Sequence, residues 1–324
     1  MAGVETVRGT IETSALGRTY MHEHIFLLSA DVQQNYPGEW GDEQARIDDA
    51  VMRLKELAAQ GVRTIVDPTV IGLGRYIPRI VRVAEQVPEL NIIVATGCYT
   101  YDDVPFFFHH RGPSIGRPDP MVDMFVADIT EGITGTGVKA GLLKCAIDQQ
   151  GLTPGVERVM RAVAGAHRAT GTPITVHTHP DSESGLVAKR VLCDEEGVDP
   201  GRIVLGHSGD STDVDHLSEL AEAGFLLGMD RFGLETTLPT ADRIATVVEL
   251  VRRGFAERLV LSHDAACYMD WVDPALSAAA LPNWNFRHIH DTVLPALAEQ
   301  GVTPEQITTM MVDNPRRFLA GGAA

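Results

Sequence analysis

Two histidines near the start of the chain, His22 and His24, are the first residues whose types and spacing suit a chemical role. They end the stretch Thr19-Tyr20-Met21-His22-Glu23-His24. If this stretch is a β-strand, its side chains alternate between two faces, so the histidines share one face and Glu23 lies on the other. Neutral imidazoles on one face can bind zinc, iron, cobalt or nickel. The pair alone is a weak indication, because two surface histidines at a strand end give the same pattern.

Further candidate ligands end or directly follow other segments with the pattern of strands. They are Lys144, His177, His207 and Asp264. Imidazoles together with a carboxylate are the ligand types expected of a binuclear metal centre. Lys144 does not fit this set by itself, because an ammonium group has no lone pair. A strand-end lysine paired with an acid is the ordinary structural interpretation.

The segments that carry these residues alternate with helix patterns along the whole chain. A hairpin is expected at 3–14 and two short helices at 303–319. The predicted strands are 19–24, 62–67, 91–96, 139–144, 173–177, 202–205, 225–229 and 258–261. Strands alternating with helices predict a parallel sheet, and eight repeats favour a closed (β/α)8 TIM barrel formed by one domain, 1–324. Active sites of such barrels lie at the C-terminal ends of the strands, so the candidate ligands should converge there.

A doubly wound parallel sheet is the main alternative to the barrel. Nucleotide binding, which is common in that fold, has little support here. The segment Gly72-Leu73-Gly74 lacks the third glycine of a dinucleotide fingerprint, and the sequence has no Walker A motif.

Composition limits the partners of the protein. Its 324 residues are 44% hydrophobic and 22% charged, as in ordinary globular proteins, and the formal net charge is −17. So negative a chain should repel nucleic acid and anionic membranes. No apolar run approaches the roughly 18 residues of a membrane span, and no signal peptide is recognised. Four widely spaced cysteines suggest free thiols, so a cytoplasmic protein is expected.

Motifs along nearly the whole chain make the sequence recognisable. They include GRTYMHEHIF, TIVDPTVIGLGRYIPRI, VATGCYTYDDVPFFF, AGLLKCA, TVHTH, GHSGDSTD, GMDRFG, LSHDA and MVDNPRRFL. With these motifs the chain resembles the phosphotriesterase family of the amidohydrolase superfamily, and more closely the phosphotriesterase-like lactonases.

The resemblance implies roles for the candidate ligands. Lys144 matches a position that carries a carboxylated lysine, in which the amine has captured carbon dioxide as a carbamate that bridges two metals. The buried metal is then bound by His22, His24 and Asp264, and the exposed metal by His177 and His207. The resemblance leaves the metal open among zinc, cobalt, manganese, iron and nickel, with zinc as the default.

The same resemblance implies a lactonase. A hydroxide bridging the metals attacks the lactone carbonyl, and Asp264 accepts its proton and passes it to the leaving alkoxide. Tyr99 and Arg231 match lactonase positions at the metal centre and at the seventh barrel strand. A loop at 265–285, with Trp271, is expected to cover an apolar channel to which Leu73 also contributes. This channel suits N-acyl-homoserine lactones, the quorum-quenching substrates, or long-chain alkyl lactones, with weak promiscuous activity on organophosphates.

Several alternatives remain open at this point. A dedicated organophosphate triesterase is the first, a catalytically inactive metal-binding protein is the second, and another amidohydrolase or a deaminase is the third. The family resemblance also implies a homodimer, with the loop 106–110 as a plausible contributor to its interface. Departures from the family pattern are Asp148-Gln149-Gln150-Gly151 and Ala265-Ala266, neither of which includes a candidate ligand. Other residues are not expected to bind metal: His109, His110, His179, His263 and Cys267.

Overall fold

The computed structural model describes residues 3–273 and 279–320. Its strands are β1 Gly3–Thr6, β2 Gly9–Glu12, β3 Arg18–Tyr20, β4 His24–Leu27, β5 Val62–Asp67, β6 Asn91–Gly97, β7 Leu142–Ala146, β8 Ile174–His177, β9 Ile203–Gly206, β10 Leu226–Met229, β11 Leu259–Leu261 and β12 Ala266–Met269. Eight of them form one parallel sheet in the order β11-β10-β9-β8-β7-β6-β5-β3. The predicted hairpin is confirmed as the antiparallel pair β1–β2.

The two edges of this sheet are joined through the segments that follow them. The Asp264 N–H donates to the His22 carbonyl at 3.0 Å, and the His24 N–H donates to the Ala265 carbonyl at 2.8 Å. Beyond these bonds β4 and β12 pair in parallel, with Ala266 opposite His24. The predicted (β/α)8 barrel is confirmed. Its first and last strands are joined through two segments that contain the candidate ligands His22, His24 and Asp264.

Helices cover the outside of the barrel. They are α1 Ala30–Asn35, α2 Glu43–Ala59, α3 Ile77–Ala84, α4 Pro120–Thr130, α5 Pro154–Thr170, α6 Ser184–Ala188, α7 Val214–Glu222 and α8 Thr240–Arg252, followed by Leu294–Glu299, Pro304–Thr308 and Asn314–Leu319. The start of α5 shows why the sequence folds this way. Thr153 accepts a hydrogen bond from the Val156 N–H, and Pro154 fits the first turn, whose N–H groups have no helical partner. In the described part of the chain, no helix has both the length and the apolar character needed to cross a membrane.

Buried apolar residues form two layers. One cluster lies between sheet and helices, and a smaller one includes Leu142 of β7 and Ile93 of β6. Lys144 follows Leu142 by two positions in the same strand, so both side chains lie on the same face of the sheet. The strand therefore turns this lysine toward the inside of the barrel.

Three expectations about local structure were wrong. The stretch 19–24 is not one strand, because β3 ends at Tyr20 and β4 begins at His24. The strand expected at 139–144 lies at Leu142–Ala146, so Lys144 lies in its middle. The loop expected at 265–285 begins with a strand, because Ala266–Met269 pairs with β4; residues 274–278 of this loop lie outside the described residues.

Candidate metal centre

All ten site residues predicted from the sequence line one cavity of about 350 Å³. They are His22, His24, Leu73, Tyr99, Lys144, His177, His207, Arg231, Asp264 and Trp271. Lys144 lies in the middle of β7, and the others come from segments at or beyond the C-terminal ends of the barrel strands. The convergence expected from parallel strands is therefore found.

Asp264 brings the two N-terminal histidines together. Its Oδ1 atom lies 3.3 Å from Nε2 of His22 and 3.3 Å from Nε2 of His24. All three side chains are buried, and their ligand atoms are close enough together to hold one metal ion. Although the predicted strand is broken, His22 and His24 still face the same side, and Glu23 lies on the other.

His177 and His207 form the adjoining part of the centre. Their ring centroids are 4.3 Å apart, and the His207 ring lies 5.0 Å from that of His22. Burial lowers the pKa of His177 to about 4 and that of His207 well below its ordinary value. Both rings are therefore neutral near pH 7, which is the form that binds metals.

Three of the four imidazoles have their Nδ1 atom beside a supporting side chain. Nδ1 of His207 lies 2.9 Å, and Nδ1 of His22 lies 3.4 Å, from the Asp230 carboxylate. Nδ1 of His24 lies 2.7 Å from the Thr69 hydroxyl. The candidate ligand atom of each ring is then Nε2, which in His22 and His24 faces Oδ1 of Asp264, and such partners at Nδ1 commonly fix the tautomer of metal-binding histidines.

His177 is held in the opposite sense. Its Nε2 atom lies 2.5 Å from Oδ2 of Asp148, so Nδ1 is its candidate ligand atom. Burial raises the pKa of Asp148, but hydrogen bonds from His177 and from the Gln149 N–H outweigh it and lower this pKa to about 2. Asp148, Asp230 and Thr69 were not predicted as site residues. The sequence feature that could have indicated them is their position just after a strand end.

Asp230 also belongs to a second group of potential ligands, with His22 and His207. Its oxygens contact the Nδ1 atoms of both rings and accept the His207 N–H at 2.9 Å. Burial raises the pKa of Asp230, yet the two histidines lower it well below its ordinary value. This carboxylate therefore holds the two imidazoles at their Nδ1 atoms.

Lys144 is buried without the acidic partner that a structural lysine needs. Within the described residues no carboxylate lies within ion-pair distance of it, and its Nζ atom lies 3.4 Å from Nε2 of His22. Burial lowers the pKa of Lys144 to about 8, although Asp264 and Asp230 act in the opposite direction. An unpaired buried ammonium is unfavourable, so burial favours the neutral amine of this lysine.

The pKa of His24 is shifted in the opposite direction to that of Lys144. Burial lowers its pKa, but the carboxylates of Asp264 and Asp67 outweigh burial and raise it to about 9. In the metal-free chain His24 is therefore protonated near pH 7. A metal bound at Nε2 must displace that proton.

Two tyrosines border His177. The Tyr99 hydroxyl lies 3.2 Å from Nδ1 of His177, and the Tyr101 hydroxyl lies 3.4 Å from Nε2. The two hydroxyl groups also contact each other. Burial raises the pKa of Tyr99 well above its ordinary value, so its hydroxyl stays protonated and can donate a hydrogen bond. Tyr101 was not predicted.

Arg231 connects Asp264 to a buried network of charges. Its Nε atom lies 3.0 Å from Oδ2 of Asp264, and its Nη1 atom lies 2.8 Å from Oδ2 of Asp210. Asp210 in turn contacts the fully buried Arg243. Arg231 was predicted from the sequence, but neither of these two partners was; Asp210 lies just after β9 and Arg243 lies in α8.

Three residues of the centre have left-handed backbone conformations. Among the described residues that are not glycine, positive φ angles occur at His207 (65°), Arg231 (60°), Asp264 (51°) and one residue outside the site, Thr134. Such conformations are unfavourable for residues with a Cβ atom and often occur at functional sites. They occur here directly after the strands, where the chain turns side chains across the mouth of the barrel.

The residues not expected to bind metal lie outside the cavity. His109 contacts Asp103, His179 contacts Gln149, and His263 contacts Glu23. Cys267 is buried, and burial raises the pKa of its thiol. The upper wall of the cavity is apolar and includes Leu27, Leu73, Met269, Trp271, Leu281 and Trp284.

Comparison with known proteins agrees with this geometry. The profile of the phosphotriesterase family matches residues 2–319. A phosphotriesterase homology protein of Mycobacterium tuberculosis is 57% identical over 98% of each chain. An aryldialkylphosphatase of Saccharolobus solfataricus is 38% identical over 97% of this chain and 98% of its own.

Comparison with a solved structure points to the same family. The structure of the phosphotriesterase from Mycobacterium tuberculosis superposes with a TM-score of 0.96, at 56% identity and with 98% of each chain covered. The chain belongs to the phosphotriesterase family.

Proposed function

We propose that this protein is a binuclear metal-dependent lactonase that hydrolyses N-acyl-homoserine lactones or long-chain alkyl lactones. The observation that carries the proposal is the mixed lining of one cavity. The imidazoles, Lys144 and Asp264 line it together with apolar side chains such as Leu73, Met269 and Trp271. A lactone with an alkyl or acyl chain likewise combines a polar ring with an apolar tail.

The residues fit two divalent metals. His22, His24 and Asp264 would hold one, His177 and His207 the other, and Lys144 would bridge them as a carbamate. Support comes from the side chains that hold one nitrogen of each imidazole and from the burial of Lys144 without a carboxylate partner. When bound, such a pair supplies an activated water and a Lewis acid for the carbonyl.

The other residues act on the proton and the substrate. Asp264 takes the proton of the attacking water and returns it to the leaving alkoxide, while Arg231 keeps its second oxygen in place. The Tyr99 hydroxyl donates to the lactone oxygen. Leu73 and Trp271, which is half exposed, contact the acyl chain.

The remaining proposals concern the arrangement of the chain. The chain forms one hydrolase domain in the cytoplasm, and the described residues of 265–285 cover the site as a lid. Two copies associate through the loop 106–110, where Phe106 is 79% exposed and Phe107 is 51% exposed. Burying such aromatic side chains against a second copy would be favourable.

A lactone panel compared with the organophosphate paraoxon tests the function. Both are assayed on one preparation whose metal content is measured. We expect higher kcat/KM for acyl-homoserine lactones of some chain length than for paraoxon, with zinc or cobalt near two ions per chain. If paraoxon is the better substrate, the protein is a dedicated organophosphate triesterase, as the name aryldialkylphosphatase of the 38% identical relative suggests.

A second outcome would favour the non-catalytic alternative. Less than one metal ion per chain after mild purification, with no turnover of any lactone after metal addition, would indicate a protein that retains the fold without the chemistry. Size-exclusion chromatography with light scattering on the same sample tests the dimer.

A further inference from the structure

Glu23 lies between the two candidate ligands His22 and His24 but faces away from the cavity. Its side chain is fully buried. Oε1 accepts from the backbone N–H of His263 at 2.8 Å and from the His263 Nδ1 at 2.7 Å. Oε2 accepts from the Ala265 N–H at 3.2 Å. The carboxylate therefore contacts the residues on both sides of Asp264.

The proton on His263 can be assigned from its other nitrogen. Nε2 of His263 accepts the backbone N–H of Ile289 at 3.0 Å, and a backbone amide can only donate. The ring proton therefore lies on Nδ1 and is donated to Glu23. Glu23 thus accepts hydrogen bonds from three N–H donors.

The segment that Glu23 holds contains a left-handed residue. Asp264 has a φ of 51°, which is unfavourable for a residue with a Cβ atom. Its own N–H donates to the His22 carbonyl, and the His24 N–H donates to the Ala265 carbonyl. Segments 22–24 and 263–265 are therefore joined by five hydrogen bonds, of which Glu23 accepts three.

We propose that Glu23 is a positioning residue for Asp264: it holds the turn that places Oδ1 beside His22 and His24. The inference rests on the proposed function, in which these three residues bind a metal. Without the three acceptor contacts, the turn can relax toward an ordinary backbone conformation and move Oδ1 from the histidines. Glu23 then acts on metal affinity through Asp264 and contacts neither metal nor substrate.

The test uses the chain loaded with Co²⁺, whose visible absorption reports the ligand geometry. Glu23→Gln retains size but replaces one acceptor oxygen with an amide NH2 donor, which must then face an N–H. We expect one of the two Co²⁺ ions to bind roughly 10–100-fold more weakly in competition with a chelator, as is typical when a group supporting a metal ligand is lost. The absorption band should also change.

A matched control separates positioning from general destabilisation. Asn314 is fully buried and donates to the Ala256 and Leu259 carbonyls, next to and at the start of β11. Asn314→Ala should lower the melting temperature but leave Co²⁺ affinity and absorption unchanged. If Glu23→Gln does not fold, His263→Phe, which removes the side-chain donor to Glu23 together with the acceptor of the Ile289 N–H, is judged by the same two readouts.

The outcomes are distinct. Wild-type affinity and absorption in Glu23→Gln, or equal losses in Asn314→Ala, would overturn the positioning role. A wild-type chain that binds two Co²⁺ ions but hydrolyses no lactone would count against the proposed function alone. In that case a weaker Co²⁺ site in Glu23→Gln would still support the positioning role.

Discussion

Arg231 binds the oxygen of Asp264 that faces away from His22 and His24. Its Nε atom lies 3.0 Å from Oδ2, whereas His22 and His24 approach Oδ1. The two oxygens of this carboxylate thus have different partners. Burial lowers the pKa of Arg231, but Asp264, Asp210 and Asp230 raise it above its ordinary value, so this side chain stays charged.

Replacing Arg231 should therefore affect turnover. Arg231→Met removes a hydrogen bond to a charged group, a loss of about 1.5–3 kcal/mol, or roughly 10–100-fold in kcat/KM. Arg231→Lys should lose less, because it keeps the charge. Arg253→Met, which changes an exposed arginine paired with Asp215, is the surface control. Wild-type lactone kinetics in Arg231→Met would exclude a role for this contact.

Asp264→Asn tests the proton transfer. Asparagine retains the size and one acceptor oxygen but cannot take up a proton as a carboxylate does. We expect kcat for lactones to fall roughly 10²–10⁴-fold even where metal is retained. Asp194→Asn, at an exposed carboxylate, is the control. Near-normal hydrolysis by a metal-loaded Asp264→Asn enzyme would disprove the assignment.

Lys144 should require carbon dioxide to complete the centre. Since burial lowers its pKa to about 8, the neutral amine that reacts with carbon dioxide becomes more abundant as pH rises through that value. After chelation, zinc should restore activity slowly in degassed buffer and faster with bicarbonate, at about pH 9 more than at about pH 7.

A spectroscopic measurement identifies the adduct directly. Bicarbonate labelled with ¹³C should give a carbamate signal in the NMR spectrum of wild type and of Lys55→Met, an exposed control, but not of Lys144→Met. Recovery that is independent of bicarbonate, with no carbamate signal, would argue for a free lysine.

Gly97 allows β6 to pass close to Lys144. A Cβ atom at Gly97, where φ is 143°, would lie 1.9 Å from the Lys144 carbonyl oxygen, so Gly97→Ala must displace β7. We expect about 1–3 kcal/mol of destabilisation, together with reduced metal content. Gly116→Ala places a Cβ atom at a φ of 68° with no atom within 4 Å, so only backbone strain is added there. Equal metal content in the two variants would contradict this account.

His263 should make folding sensitive to acid. Burial lowers its pKa to about 3, below the value of about 6.5 expected in the unfolded chain. Between these values the unfolded state binds one more proton, so the free energy of unfolding should fall as pH decreases, by about 1.4 kcal/mol per pH unit.

Chemical denaturation between about pH 6 and about pH 4.5 measures this dependence. His263→Gln should flatten the wild-type curve by that slope, and His290→Gln, at an exposed histidine, serves as the surface control. A His263→Gln curve parallel to that of wild type would show that His263 is not the group responsible.

The sequence predicted those parts of the site that depend on strand periodicity. His177 and Asp264 could be placed because each ends or follows an apolar run, and parallel strands bring such ends to one face. The same reasoning predicted the fold class and the hairpin before β3.

Features that depend on contacts distant in sequence could not be predicted. Asp230 and Asp148 support imidazoles through the orientation of their side chains, which no local pattern reveals. The pairing of β12 with β4 joins segments at opposite ends of the barrel sequence, so 265–285 was expected to be loop throughout. The interruption between β3 and β4 at 21–23 could not be predicted for the same reason, because these residues form hydrogen bonds with the distant segment around Asp264.

The seam between segments 22–24 and 263–265 also determines when the site can form during translation. Glu23 and His263 are separated by 240 positions, so a nascent chain exposes His22 and His24 long before the ribosome has made their carboxylate partner. Until then the first and last strands of the barrel cannot be joined to each other. The two N-terminal histidines therefore gain their complete surroundings among the last steps of biosynthesis.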